Sequence, residues 1–218
     1  WYPASLTKIM TAYVAFREVR AGHLSFDTVI PITHRAVAVE TTRSGAQRGQ
    51  SITLDNALKY MLVQSANDMA ITVAEGVGGT VENFVLLMNN AAKDMGMQET
   101  HFANPNGLFA PNQTTSARDL AILVLRILSE FPDQHAYFAI GGINTETGFR
   151  SNTNGLIGRY PGADGMKTGF ICPSGFNLVS TALRDDQRLI AIVLGAENGT
   201  MRVLRSARLL DYGFADAK

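Results

Sequence analysis

The chain has 218 residues, of which 46% are hydrophobic and 17% are charged. This composition supports a sizeable hydrophobic core and excludes an intrinsically disordered protein. The 19 basic and 19 acidic residues give a formal net charge of zero, which provides no long-range field for nucleic acid or an anionic membrane surface. The length suits one large domain, and the sequence shows no internal repeat or low-complexity linker.

Composition also limits disulfides, membrane spans and metal sites. Cys172 is the single cysteine, so it has no partner for an internal disulfide, and we expect a small buried side chain. No apolar run reaches the ~20 residues of a membrane span, and the histidines lack metal-ligand spacing. The start at Trp1 lacks the basic and apolar regions of a signal peptide. We expect more chain upstream in the natural protein, because a candidate nucleophile, Ser5, lies unusually close to this start.

The first part of the chain is predicted to be mainly helical. Pro3 suits a first helical turn, and the helix that follows is expected to run to about Gly22. Residues 24–51 predict short strands and loops, and residues 104–107 predict a turn. Further helices, with Thr53, Thr80 and Ser116 as capping residues, are predicted over residues 54–63, 67–79, 80–96 and 116–132.

The remaining part changes to an extended pattern. Strands are predicted over residues 149–157, 165–170, 176–183 and 189–194. The last two form a hairpin whose polar turn contains Asp185 and Asp186, a pair that we interpret as solvated rather than catalytic. A closing helix is predicted over residues 202–212.

Segregated helices and antiparallel strands predict an α/β fold of the α+β type. We expect an antiparallel sheet flanked by helices, with a mainly helical lobe over residues 53–132. Both parts are expected to form a single catalytic domain over residues 1–218.

Ser5 and Lys8 are the first candidate catalytic pair. Residues three apart on a helix share one face, with Cβ atoms about 5–6 Å apart. A serine hydroxyl needs a base to become nucleophilic, and a lysine is such a base when burial or a second cation destabilises its ammonium form. Lys167 is the candidate second cation, and the Ser5 amide at the helix N-terminus is a candidate oxyanion donor. Taken alone, a helix cap and a solvated lysine explain this pair as well.

Ser65 and Asn67 fall between two predicted helices. There, Ser65 can relay a proton, and Asn67 can hydrogen-bond a substrate amide and Lys8. The alternative interpretation is an ordinary helix–helix corner in which Asn67 is a cap.

A third string, residues 167–169, lies in a predicted strand. Lys167 and Thr168 can hold a carboxylate, and Gly169 lets another backbone come close. The amide of Phe170 is a second candidate oxyanion donor. The alternative interpretation is a strand lysine beside a bulge.

The three strings occur in the order of the active-serine site of penicillin-binding proteins and class A β-lactamases. The sequence resembles the low-molecular-mass penicillin-binding proteins, the serine-type D-alanyl-D-alanine carboxypeptidases, over nearly the whole chain. Segments that carry the resemblance are residues 3–14, 65–70, 116–121, 164–169 and 175–179. The resemblance implies a β-lactamase/transpeptidase-like fold and hydrolysis of the terminal D-alanine of peptidoglycan stem peptides.

The resemblance also implies a role for each candidate residue. Ser5 is the implied nucleophile and Lys8 its base. The residues implied to orient groups and transfer the proton are Ser65, Asn67 and Lys167, and those implied to bind the substrate are Thr168, Gly169, Phe170 and Arg202. Arg202 is the best match for a family arginine that binds the terminal carboxylate.

Partners and location follow from the same resemblance. It implies a stem peptide ending in D-Ala-D-Ala as substrate, β-lactam antibiotics as covalent inhibitors, no cofactor, no metal and a periplasmic or extracytoplasmic location in a bacterium. Family members carry strands before the nucleophile helix, a second β-rich domain and often an amphipathic C-terminal anchor. We expect these segments to lie outside this sequence, so any membrane anchoring depends on them.

Three alternative functions stay open. A class A β-lactamase deacylates through the glutamate of a Glu-x-x-Leu-Asn motif. No glutamate here has an asparagine four residues later, so we expect penicillin to acylate Ser5 and stay bound. A D,D-endopeptidase of peptidoglycan cross-links also attacks after a D-alanine. A non-catalytic cell-wall binding module would share the fold, although all motif side chains are present.

Overall fold

The computed structural model describes residues 1–146 and 148–216. A 3₁₀ turn, Ala4–Leu6, leads into the first α-helix. The helices are α1 (Thr7–Arg20), α2 (His34–Val37), α3 (Leu54–Val63), α4 (Asn67–Gly78), α5 (Val81–Asp94), α6 (Ala117–Glu130), α7 (Ala136–Ala139) and α8 (Gly199–Asp216). The strands are β1 (Val29–Pro31), β2 (Ser51–Thr53), β3 (Gly142–Thr145), β4 (Gly148–Ser151), β5 (Ala163–Ile171), β6 (Gly175–Arg184) and β7 (Gln187–Ala196).

Helix α1 lies at the centre of the helical part. It is buried over residues 7–16 and contacts α3, α4, α5 and α6. The side chains of Thr53, Thr80 and Ser116 cap α3, α5 and α6 by accepting a backbone N–H in the first turn. The predicted helices and caps are therefore confirmed.

In the part of the chain described here, no single helix is long and apolar enough to cross a membrane. Only the α4–α5 pair, taken together and bent by 85°, has the length and the apolar composition of a membrane span.

The principal sheet contains β5, β6 and β7 in that order, and neighbouring strands are antiparallel. Lys167 in β5 pairs with Val179 in β6, which pairs with Ile192 in β7. The β6–β7 hairpin turns at the exposed Asp185 and Asp186, whose φ angles are 47° and 63°. Aspartate tolerates this left-handed conformation in tight turns. The predicted hairpin and its solvated acidic pair are confirmed.

Alternating residues of β6 face two different cores, because successive side chains in a strand point to opposite faces. Val179 belongs to the large core that also contains Phe16 of α1. Leu178 belongs to a smaller core with Leu210 and Phe214 of α8. Helices therefore cover both faces of the antiparallel sheet, and the predicted α/β fold of the α+β type is confirmed.

Two predictions in the strand-rich part are wrong. Residues 152–157 form turns rather than a strand, because the side chains of Asn152 and Asn154 accept the backbone N–H groups two residues later. Cys172 is exposed rather than buried, since it lies in the connection between β5 and β6.

Two segments are more helical than predicted. Helix α2 lies within residues 24–51, where strands and loops were expected, because the Thr33 hydroxyl caps it by accepting the N–H of Ala36 at 3.1 Å. Helix α8 extends beyond the predicted residues 202–212. At α2, a short polar cap thus adds a helical turn that hydrophobic spacing does not indicate.

Candidate active site

Ser5 lies in the 3₁₀ turn, and Lys8 lies in the first turn of α1. The predicted shared face is confirmed, because Lys8 Nζ lies 2.9 Å from Ser5 Oγ. Lys8 is completely buried, whereas Ser5 keeps partial exposure. A substrate can therefore reach the hydroxyl while the amine is shielded from water.

Lys8 Nζ has two further partners, and both are acceptors. It lies 2.7 Å from Asn67 Oδ1 and 2.5 Å from the carbonyl oxygen of Asn106. An ammonium group has three N–H donors, whereas a neutral amine has two donors and one lone pair. In the neutral form, Asn67 and Asn106 take the two donors. The lone pair then faces the Ser5 hydroxyl, which is the group whose proton a base must remove.

The surroundings of Lys8 favour this neutral form. Burial lowers the pKa of Lys8 well below its ordinary value, and the positive charge of Lys167 lowers it further, while Asp68 acts in the opposite direction. Desolvation disfavours the charged form of a lysine, and a neighbouring cation adds repulsion. A buried lysine whose pKa is lowered in this way is chemically competent as a general base.

Asn67 is the first residue of α4, and Ser65 lies in the short link between α3 and α4. The backbone N–H of Asn67 donates to the Thr42 carbonyl at 2.8 Å, and its Nδ2 donates to the Thr41 carbonyl at 3.1 Å. These bonds fix the carboxamide so that its oxygen faces Lys8. Ser65 is largely buried and has a φ of 65°, a conformation that non-glycine residues adopt rarely and that often marks functional sites.

Lys167 lies in β5 and is almost completely buried. Burial, with a smaller contribution from the Arg202 charge, lowers the pKa of Lys167 to about 7. Its Nζ donates to the Thr168 carbonyl at 3.1 Å, and the Thr168 hydroxyl donates to the Thr153 hydroxyl at 2.8 Å. The strand thus presents a lysine and a hydroxyl close to the Ser5–Lys8 pair.

Gly169 allows β5 to approach the 3₁₀ turn. A Cβ atom on Gly169 would lie 2.9 Å from the Pro3 carbonyl oxygen and 3.1 Å from the Ser5 nitrogen, so a side chain does not fit. The strand therefore packs directly against the Ser5-bearing turn, and Phe170 is the next residue along it. Its ring is half exposed and stacks on Phe176, with 4.2 Å between ring centroids.

Arg202 lies in the first part of α8 and reaches the sheet. Its Nη1 is 3.4 Å from the carbonyl oxygens of Gly169 and Asn177, and its guanidinium lies 5.6 Å from the centroid of the Phe176 ring. The structure thus places Arg202 beside the strand that carries Lys167.

The Asn106 carbonyl is a site component that the sequence did not indicate. The prediction for residues 104–107 was a turn, and a backbone oxygen has no side-chain signature. Gly107 explains the position of this turn. Its φ is 85°, and a Cβ atom there would lie 1.9 Å from the Ala4 carbonyl oxygen. The available signal was therefore the glycine in the Asn-Pro-Asn-Gly string.

A cleft of about 330 Å³ adjoins the site. Its lining is polar or cationic and consists of Thr42, Arg43, Ser44, Gln64, Thr145, Arg150, Ser151 and Thr153. Because the Thr153 hydroxyl contacts Thr168, the cleft opens at the strand that carries Lys167. Among residues 1–146 and 148–216, no group of three or more His, Cys, Asp and Glu side chains is suited to hold a metal ion.

The sequence is similar to those of known enzymes. It is 35% identical over 222 residues to the D-alanyl-D-alanine carboxypeptidase DacC of Escherichia coli strain K12. The alignment covers 97% of this chain and 55% of DacC. The chain therefore spans about half the length of this relative.

Solved structures with the same fold are also similar. The crystal structure of the D-alanyl-D-alanine carboxypeptidase DacD from Francisella tularensis has a TM-score of 0.94 and 33% identity, covering 98% of this chain and 64% of that chain. The ampicillin-bound form of penicillin-binding protein D2 from Listeria monocytogenes has a TM-score of 0.85 and 30% identity, covering 97% of this chain and 86% of that chain. Residues 1–198 match the family model described as D-alanyl-D-alanine carboxypeptidase. The chain thus belongs to the D-alanyl-D-alanine carboxypeptidase family.

Proposed function

We propose that this chain carries the active site of a serine-type D-Ala-D-Ala carboxypeptidase of the bacterial cell wall. The observation that carries the proposal is the buried Lys8 amine, 2.9 Å from the Ser5 hydroxyl and depressed in pKa. This arrangement provides a nucleophile and its base without a histidine.

In the acylation step, Ser5 Oγ attacks the carbonyl carbon of the penultimate D-alanine while Lys8 Nζ takes the hydroxyl proton. The oxygen of the tetrahedral intermediate accepts hydrogen bonds from the backbone N–H groups of Ser5 and Phe170. Such preorganised donors stabilise charge as it develops. The carbon–nitrogen bond then breaks, and the amine of the terminal D-alanine receives the proton from Lys8 through Ser65. Lys167 stabilises this transfer electrostatically.

In the deacylation step, a water molecule attacks the ester carbon while Lys8 takes one of its protons. The ester bond breaks, Ser5 Oγ regains a proton from Lys8, and the shortened stem peptide leaves with a new carboxylate. Thr168 and Arg202 bind the terminal carboxylate of the uncleaved substrate, which fixes the scissile bond over Ser5.

The proposed substrate also determines where the enzyme works and what inhibits it. Peptidoglycan lies outside the cytoplasmic membrane, so we place the activity in the periplasm or another extracytoplasmic compartment. A β-lactam carbonyl can take the position of the scissile carbonyl, and the Listeria monocytogenes neighbour was solved in its ampicillin-bound form. We expect the same reaction at Ser5.

The test is intact-protein mass spectrometry after incubation with benzylpenicillin, combined with D-alanine release from a stem pentapeptide. We expect a lasting adduct on Ser5 and release of D-alanine, both abolished in Ser5→Ala. The exposed Ser129 of α6 provides a matched control, and Ser129→Ala should keep both activities. Consumption of penicillin without an adduct would indicate a β-lactamase, and an unmodified protein with intact penicillin would refute the proposal.

A further inference from the structure

Gln113 is a buried residue, only 1% exposed, whose carboxamide binds the backbone of residues 103–108. We call this segment the base-facing loop. Gln113 Oε1 accepts the backbone N–H groups of Ala103 at 3.0 Å and Asn104 at 3.1 Å. Its Nε2 donates to the Leu108 carbonyl at 3.0 Å and to Asn104 Oδ1 at 3.3 Å. One side chain therefore ties the beginning of the loop to its end.

The base-facing loop is also held from the side of α1. The buried hydroxyl of Thr11 donates to the Pro105 carbonyl at 2.6 Å. Gly107 lies so close to the Ala4 carbonyl that no side chain fits between them. The loop is thus fixed between Gln113 on one side and the Ser5-bearing turn with α1 on the other.

Asn106 lies in the middle of this loop, and its carbonyl oxygen is 2.5 Å from Lys8 Nζ. We propose that Gln113 is a positioning residue for the Lys8 base. By fixing the base-facing loop, it holds the Asn106 carbonyl where that oxygen accepts one N–H of the amine. The second N–H binds Asn67, so the lone pair faces Ser5. The inference rests on the proposed function, because it assigns a role within the same acylation step.

The direction of the expected pH effect follows from the groups around Lys8. Lys167 of β5 faces it as a cation, and Asp68 of α4 faces it as an anion. The Asn106 carbonyl is an acceptor, and a hydrogen bond to the charged form stabilises that form. Displacing this carbonyl therefore lowers the pKa of Lys8 further. The acid limb of the acylation rate then moves to lower pH, while the maximal rate falls because the lone pair is no longer aligned.

The experiment measures the rate of acylation by a fluorescent penicillin between pH 5 and pH 9 in the purified protein, for wild type and for Gln113→Met. Methionine has a similar length and makes none of the four bonds. We expect the maximal rate to fall about 10- to 100-fold, as for a small misplacement of a reacting group, and the acid limb to move to lower pH. Unchanged values, or a lower maximum with an unmoved acid limb, would overturn the inference.

Asn89→Leu is the matched control. Asn89 is a second carboxamide clamp, which binds the backbone of Phe102 through bonds of 2.8 and 2.9 Å, just before the base-facing loop. Its loss should lower stability while the acylation maximum and acid limb stay as in wild type. A shift equal to that of Gln113→Met would contradict a specific role for Gln113.

Gln113→Asn decides the question if Gln113→Met does not fold. Asparagine keeps a carboxamide but is one methylene shorter, so it cannot bind both Ala103 and Leu108 as Gln113 does. The same loss of rate and shift of the acid limb are expected, and wild-type values would overturn the inference. If the proposed function itself is wrong, the result is different, because even the wild-type protein would then not be acylated at any pH.

Discussion

Arg202 has a hydrogen-bond donor that the protein itself does not satisfy. Its Nε is buried and has no partner within residues 1–146 and 148–216, beside the strand that carries Lys167 and Thr168. This Nε is enclosed, but the side chain as a whole keeps partial exposure, and an arriving carboxylate would bind the accessible part of the guanidinium through a charge-assisted bond. We expect Arg202→Ala to raise KM for a peptide ending in D-Ala-D-Ala about 10- to 100-fold, the range of one hydrogen bond to a charged group. Steady-state release of the terminal residue measures this change.

The same peptide with a C-terminal amide separates carboxylate binding from general damage. Because the amide lacks the negative charge, its KM should change little in Arg202→Ala. Arg208, exposed on the same helix, is the matched control, and Arg208→Ala should leave both peptides unaffected. An equal loss on both peptides in Arg202→Ala would contradict the assignment.

At the scale of elements, the Ser5-bearing turn depends on its contact with the base-facing loop. Gly107→Ala introduces a Cβ atom 1.9 Å from the Ala4 carbonyl oxygen, at a φ of 85°. Both groups belong to the backbone, so neither moves aside without shifting the turn. We expect acylation by penicillin to slow at least tenfold and the free energy of unfolding to fall by about 1–3 kcal/mol. Acylation kinetics and urea unfolding measure the two effects.

The variant Gly96→Ala distinguishes the effect of backbone strain from the effect of this steric clash. Gly96 also has a positive φ, 74°, but a Cβ atom there would have no atom within 4 Å. Gly96→Ala should therefore lose about 1–2 kcal/mol of stability, the cost of a left-handed conformation for a residue with a Cβ atom, and keep the acylation rate. Similar acylation losses in both variants would show that the contact between Gly107 and Ala4 does not position Ser5.

The elements differ in how far the sequence predicts them. Helices α3, α5 and α6 are predictable because a capping hydroxyl precedes each apolar pattern. The turns of residues 152–157 were predicted as extended chain, although Asn152, Asn154 and Gly155 are typical turn residues. The two asparagine side chains bind the local backbone there. In the site, motif side chains are visible in the sequence, whereas the Asn106 carbonyl contact exists only after folding brings the base-facing loop to Lys8.

At the scale of the whole molecule, the site lies where the helical part meets the sheet. The large core contains residues of α1, the neighbouring helices and the inner face of β5 and β6. Ser5 and Lys8 come from the first part, whereas Lys167 comes from the second. The fold thus buries two lysines near one another, an arrangement that costs free energy of folding. Hydrophobic packing in the core must offset that cost.

This arrangement makes the stability of the protein depend on pH. The pKa of Lys167 is about 7 in the folded protein, whereas an unfolded lysine has a pKa near ~10.4. Between these values, the unfolded chain binds more protons at Lys167, so the free energy of unfolding rises with pH. Lys8, whose pKa is also lowered, acts in the same direction. Below pH 7, both states are protonated at Lys167, and the full cost of burying its charge remains.

Replacing the buried lysine removes its part of this dependence. We expect Lys167→Met to be more stable than wild type at pH 7 by about 1–4 kcal/mol, the range found when buried charged groups are replaced by apolar ones. The difference should shrink toward pH 10, because the free energy needed to deprotonate the wild-type lysine on folding decreases as the pH approaches the unfolded pKa. Urea unfolding at several pH values measures both quantities. Lys93→Met, at an exposed position of α5, is the control, and it should follow wild type throughout. A Lys167→Met variant that parallels wild type across this range would show that the buried ammonium does not limit stability, and that the site holds its charge at little cost.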